Sequence, residues 1–171
     1  MIARAERLFT PEEYLTIERN SDFKSEYVGG KIYAMAGASL EHSIITINVA
    51  GEFYTQVKGA PCRTYSSDMR VRVSSTGLYT YPDVTVVCGE PEYLDDRGDV
   101  LLNPTVIVEV LLPSTEAYDR GEKSEHYRRL PSLTYYIVIA QDRRWVEHYA
   151  RQGDHQRLLW MWHVAFDDME P

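Results

Sequence analysis

The chain has 171 residues, 26 acidic against 18 basic side chains, a net charge of −8 and 44% hydrophobic residues. That length fills one core, so the expectation is a single domain over residues 1–171. The acidic balance argues against broad, nonspecific nucleic-acid binding, which rests on Lys and Arg neutralising phosphates, but leaves room for a local basic groove.

No run approaches the roughly eighteen consecutive apolar residues of a membrane span, and Met1 to Arg7 lacks the apolar centre of a secretory signal. The expectation is a cytoplasmic protein. Cys62 and Cys88 have no closely spaced Cys or His companions, so they read as reduced, packed thiols. Acidic residues concentrate in residues 89–99 and in the tail Asp167-Asp168-Met169-Glu170. Basic ones gather at Arg70 and Arg72, around Lys123, and at Arg143 and Arg144.

In chain order, Thr10-Pro11-Glu12-Glu13 combines an N-cap hydroxyl, proline at the first helical position and glutamate at the third, predicting a helix through about Glu18. Gly29-Gly30 between two strand-like runs predicts a hairpin. From Ser39 to Lys58, Leu40, Ile44, Ile47, Tyr54 and Val57 recur at helical spacing and Gly59 supplies a stop, which marks the main amphipathic helix. Strands follow at Cys62–Ser66 and Met69–Ser74, the second alternating apolar residues with Arg70 and Arg72, so that one face is buried and the other basic.

Two further apolar runs carry Asp83, in Tyr81-Pro82-Asp83-Val84, and Glu109, in residues 105–112. A polar, helix-compatible segment from Tyr118 to Leu130 ends before Pro131. Thr134–Ala140, Trp145–Tyr149 and Arg157–His163, the last two joined through Gly153-Asp154, suggest a closing antiparallel meander. The order of elements predicts an α+β fold with a mixed central sheet, flanking helices, an N-terminal hairpin and a C-terminal meander. Neither Gly29-Gly30 nor Gly98 belongs to a phosphate-binding glycine pattern, so nucleotide-cofactor chemistry is not expected.

Glu109 is the outlier. An ionised carboxylate taken from water into a strand covered on both faces costs several kcal/mol unless it is paired, protonated or bound to a metal. Alternation places Ile107, Glu109 and Leu111 on one face and Val106, Val108 and Val110 on the other. With Asp83 as a second acid and Lys123 as a base, the three suggest a metal-dependent hydrolytic site.

Pro82-Asp83 followed by Glu109 on a later strand resembles the PD-(D/E)xK nuclease superfamily, although Leu111 stands where that pattern has a lysine. One branch departs in the same way. It is the Uma-type family of restriction-endonuclease-like bacterial proteins, which residues 10–15, 26–28, 33–37, 41–43, 67–71, 81–84, 108–111, 113–115 and 119–123, with Tyr127, resemble in order. The resemblance implies that Asp83 and Glu109 bind Mg²⁺ or Mn²⁺, that Lys123 replaces the strand lysine from the following helix, and that Glu41 or His42 lies near the same site. Leu112 replaces a serine of the family pattern, removing a polar group near the metal's outer shell.

Magnesium chemistry fits those residues, since it takes one or two carboxylates plus oxygens of phosphate, water or a carbonyl such as that of Val110. The activity implied is endonucleolytic hydrolysis of DNA by in-line attack of an activated water. Two other readings stand beside it. One is a nuclease-fold module that binds nucleic acid without cleaving it. The other is an assembly protein in which Glu109 is satisfied by Lys123 or Arg70. Asp68 reads as a turn acid with its role open. Tyr135, Tyr136, Trp145, Tyr149, Trp160 and Trp162 read as core or as a homodimer contact.

Overall fold

Thr10 starts the first helix as its side chain requires. Its Oγ1 accepts from Glu13 N at 3.2 Å while Thr10 N donates to Glu13 Oε2 at 2.9 Å, closing a reciprocal cap around Pro11. This helix, α1 (Pro11–Glu18), leads into the hairpin β1 (Ser25–Val28) and β2 (Lys31–Ala34). Gly29 and Gly30 turn that hairpin with φ of 57° and 85°, a region that strains any residue bearing a Cβ. The long helix α2 (Leu40–Val57) begins under a Ser39 cap, with His42 N donating to Ser39 Oγ at 3.0 Å.

Nine strands follow: β3 (Cys62–Ser66), β4 (Arg70–Val73), β5 (Leu78–Thr80), β6 (Val84–Cys88), β7 (Val100–Leu101), β8 (Val106–Leu111), β9 (Tyr135–Ala140), β10 (Val146–Arg151) and β11 (Leu158–Val164). Between β8 and β9 the chain winds through α3 (Glu116–Tyr118), a π-helical turn (Asp119–Lys123) and α4 (Ser124–Tyr127). The structure, a computed structural model, describes residues 7–35 and 37–151 and the backbone of 158–164. Expectations for Met1 to Glu6, Gly153-Asp154, the acidic tail and the side chains of Trp160 and Trp162 lie outside the described residues.

The strands form two sheets. A six-stranded mixed sheet runs β11-β10-β9-β8-β6-β3, with β8 and β9 parallel and the closing meander antiparallel. A five-stranded sheet runs β2-β1-β5-β4-β7 and absorbs the hairpin. The α+β class and the mixed sheet with flanking helices stand as expected.

The main core lies between the sheets. Val71, Val73 and Leu78 of the smaller sheet join Ile107, Leu111, Tyr127, Leu133 and Tyr136 in one buried cluster. On the other face of the large sheet, Val84, Val86, Val106 and Val108 pack under Val49, Ala50, Phe53 and Val57 of α2. The β8 alternation is as read: Ile107 and Leu111 face the main core, Val106 and Val108 face the helix. Among the described residues, no helix is long and apolar enough to cross a membrane.

Three local expectations are corrected. Cys62 and Cys88 are joined in a disulfide, because the β3–β6 register sets them directly opposite. Of the expected α2 stripe, Leu40, Ile44, Ile47 and Tyr54 are exposed and Val57 alone packs on the sheet, beside Val49, Ala50 and Phe53. Arg70 does not contribute to an open basic face: it is buried, donates to Tyr81 Oη through Nε at 2.9 Å, and meets Asp99. Tyr136 and Tyr149 lie in the core, the first of the two readings given to them. Asp68, whose role was open, pairs with Lys24 Nζ at 2.6 Å.

Candidate active site

The site begins with strand register. β6 and β8 are antiparallel with Val84 opposite Val108, so one further step brings Asp83 opposite Glu109. Pro82, which has no N–H to offer a ladder, leaves Asp83 at the mouth of β6. Asp83 Oδ2 accepts from Val110 N at 2.7 Å, which fixes the carboxylate across the end of β8.

The Ser39 cap sets the first turn of α2 so that His42 Nε2 lies 3.2 Å from the same Asp83 Oδ2. The imidazole pKa is raised, first by this hydrogen bond; burial opposes the shift, and the Asp83 charge and a hydrogen bond with the Val110 backbone add to it. Successive helical residues diverge by about 100°, so Glu41 points outward where His42 points in. Glu41 is exposed and does not line the cavity described below, against the expectation that it shares the site.

The π-helical turn brings in the base. Asp119 and Lys123, four positions apart and so on one side of the turn, both face the interior. Lys123 Nζ lies 3.0 Å from Glu109 Oε1, 3.1 Å from Glu26 Oε1 and 3.3 Å from Asp119 Oδ1. Tyr127 Oη donates to Glu109 Oε1 at 2.7 Å, and Thr115 Oγ1 donates to Asp119 Oδ2 at 2.7 Å. Thr80 Oγ1 donates to Glu26 Oε1.

Burial pushes the Glu109 carboxyl up to about 8, with Asp119 and Asp83 adding to the rise and Lys123 and the Tyr127 hydroxyl opposing it. Burial works to lower the Lys123 pKa, yet Glu109, Tyr127, Glu26 and Asp119 together hold it well above the usual lysine value. The ammonium therefore stays charged, and Glu109 is the group that gives way.

Asp83, Glu109, Val110, His42 and Lys123 all line one cavity of about 460 Å³, together with Glu26, Asp119 and Tyr81. Leu112 lines it too, beside Ser114 and Thr115, which supply hydroxyls near the position where the family pattern has its serine. Glu26 and Asp119 received no role from the sequence. Glu26 could have been found as a second acid inside a strand-like run, and Asp119 as the residue four before Lys123.

The donor set suits a divalent cation. Four carboxyl groups, those of Glu26, Asp83, Glu109 and Asp119, face one ammonium and one imidazole, oxygen donors of the kind hard cations take. Among the described residues no three His, Cys, Asp or Glu side chains are already gathered at ligand spacing. Asp83 and Glu109, paired across β6 and β8, are the two acids to which a cation could draw substrate oxygens.

Residues 11–161 match the model of the Uma2 family, described as "Putative restriction endonuclease". An uncharacterised protein of Synechocystis is 35% identical over 159 residues, covering 93% of this chain and 90% of that one. A second uncharacterised Synechocystis protein is 38% identical over 152 residues, covering 88% and 78%. A crystal structure from Anabaena variabilis, described as "a putative nuclease belonging to DUF820", shares the fold at a TM-score of 0.69 and 21% identity, over 84% of this chain and 80% of the other. With nearly its whole length matched, the chain belongs to the Uma2 family of restriction-endonuclease-like proteins.

Proposed function

We propose that the protein is a divalent-metal-dependent nuclease that hydrolyses phosphodiester bonds in DNA. The observation that carries this reading is the meeting of Asp83 and Glu109 across one strand pair, with Lys123 against Glu109, in a cavity whose acids outnumber its bases. Family membership supports it.

Asp83, Glu109 and the carbonyl of Val110 would hold Mg²⁺ or Mn²⁺. Such a cation, when bound, neutralises charge on the scissile phosphate and eases loss of a proton from water. The Lys123 ammonium, held by three carboxylates, supplies a fixed positive charge at the cavity wall that orients the attacking water and steadies charge building on the phosphate. Val110 N keeps the Asp83 carboxylate aimed, and His42 holds a proton at Asp83 Oδ2.

The test is cleavage. Purified protein with Mg²⁺ or Mn²⁺ should nick DNA, and Asp83→Ala and Glu109→Ala should each abolish nicking while EDTA stops the wild type. If wild type and both variants behave alike across varied DNA and RNA substrates, the reading fails.

A second reading has one observation in its favour. Lys123 is already satisfied by Glu26, Glu109 and Asp119, and Arg70 is buried rather than offered to phosphate, as in a nuclease fold that binds without cleaving. DNA binding that is indifferent to metal, with no cleavage, would favour it.

A further inference from the structure

Helix α2 carries two apolar stripes on separate faces. Val49, Ala50, Phe53 and Val57 pack on the large sheet. About 120° round the wheel from them, Leu40, Ile44, Ile47 and Tyr54 face out, at 71%, 49%, 68% and 61% exposure. Their spacing is four, three and seven, and the last gap is divided four and three by Gly51. That alternation is the seam of a paired helix.

Gly51 is the informative position. Glycine is the poorest non-proline residue inside a helix, yet a Cβ placed there meets nothing within 4 Å, so the chain's own packing gives no reason for it. Glycine on an exposed helical seam lets a second helix come close.

We propose that α2 pairs antiparallel with α2 of a second copy of this chain, forming a two-fold dimer. The register follows from the stripe. A two-fold axis midway between positions 47 and 51 sets Ile47 against Gly51 of the second copy and Ile44 against Tyr54, and lays Leu40 along the aliphatic stem of Lys58. The largest gap on the seam therefore meets a branched side chain from the other helix, twice over, which is the self-complementarity an isologous interface needs.

Charge agrees with that register. Glu41 stands in the first turn of α2 and Lys58 caps its end, and neither has an ion-pair partner among the described residues. Antiparallel pairing brings each Glu41 to the Lys58 end of the other helix and opposes the two helix dipoles. The seam and its charges thus specify a copy of α2 itself as the occupant. The proposal does not depend on the nuclease reading, because its readout is mass rather than cleavage.

Sedimentation of the full chain tests it. Wild type should run at twice the 19.8 kDa chain mass, and Ile47→Glu should run at one chain mass with an unchanged circular dichroism spectrum. Gly51→Leu is the sharper variant: it should also lose the dimer, yet melt no lower than wild type with both measured as monomers by dilution, since its side chain enters open space in the single chain. Phe23→Asp, at an exposed position off this helix, should remain dimeric. A monomeric wild type overturns the proposal, and so does a dimer that survives both α2 substitutions.

Discussion

Lys123 Nζ and Glu109 Oε1 meet at 3.0 Å with both side chains almost fully withdrawn from solvent, one from the π-helical turn and one from the middle of β8. The same ammonium is within 3.3 Å of Glu26 and Asp119, so removing it leaves three buried carboxyl groups around an empty centre. Lys123→Met should therefore destabilise the fold by about 3–5 kcal/mol at neutral pH, the usual cost of stranding a buried partner. Urea titration at neutral pH checks this, and an undiminished midpoint in the variant would show that the ammonium is not what holds these acids.

Glu109 gives the fold a pH dependence of unusual sign. Its carboxyl is pushed up to about 8 from an ordinary 4.5, chiefly by burial, so the folded state holds a proton that the unfolded chain has released. That contribution is fully present below about 4.5 and disappears as pH rises through 8. His42, also raised, acts with the same sign from 6.5 upward, whereas Lys123 acts only above 10.5. Denaturation of wild type across this window should show falling stability with rising pH. Glu109→Gln, which cannot ionise, should give a flatter profile with only the His42 component left; profiles of equal slope would contradict the assignment.

The neighbours Glu41 and His42 separate a site residue from a surface one. His42 lies against Asp83 at 3.2 Å, while Glu41 is exposed and outside the cavity. If the cavity cleaves phosphodiesters, Glu41→Ala should leave the rate within about twofold, and His42→Ala should lower it on the order of 10²-fold, the contribution of a positioned proton carrier. Initial rates at saturating metal distinguish the two, and equal losses would mean that the helix start as a whole, not the imidazole, supports the site.

These residues show what a sequence exposes and what it hides. Glu109 was conspicuous because a carboxylate in a β-branched run violates the local pattern, and the strand alternation that placed it with Ile107 and Leu111 is a property of the backbone alone. Lys123 was read beside it, but the other acids around that ammonium, Glu26 and Asp119, were not. Glu26 comes from the other sheet, and no local rule relates β1 to β8. Arg70 alternated with valines as a surface residue would, yet Tyr81 and Asp99, supplied by distant segments, bury it. On α2 both faces carry apolar residues at helical spacing, so periodicity identified a helix without saying which stripe meets the sheet.

The disulfide illustrates the same nonlocality and yields the last prediction. Cys62 and Cys88 look unrelated along the chain, and only the β3–β6 register, which also pairs Arg63 with Val87 and Ser66 with Val84, brings them opposite. β3 is the edge strand of the large sheet, with a single strand neighbour, and α2 rests on it from one side. Linking its first residue to the last of β6 constrains the unfolded chain through a loop of modest length, which stabilises by about 2–4 kcal/mol. Denatured, unreduced protein should thus yield no titratable thiol, and reduction should lower stability by that amount, with β3 amides losing hydrogen-exchange protection before those of β8. Two free thiols in the unreduced protein would instead restore the reading of Cys62 and Cys88 as packed, reduced side chains.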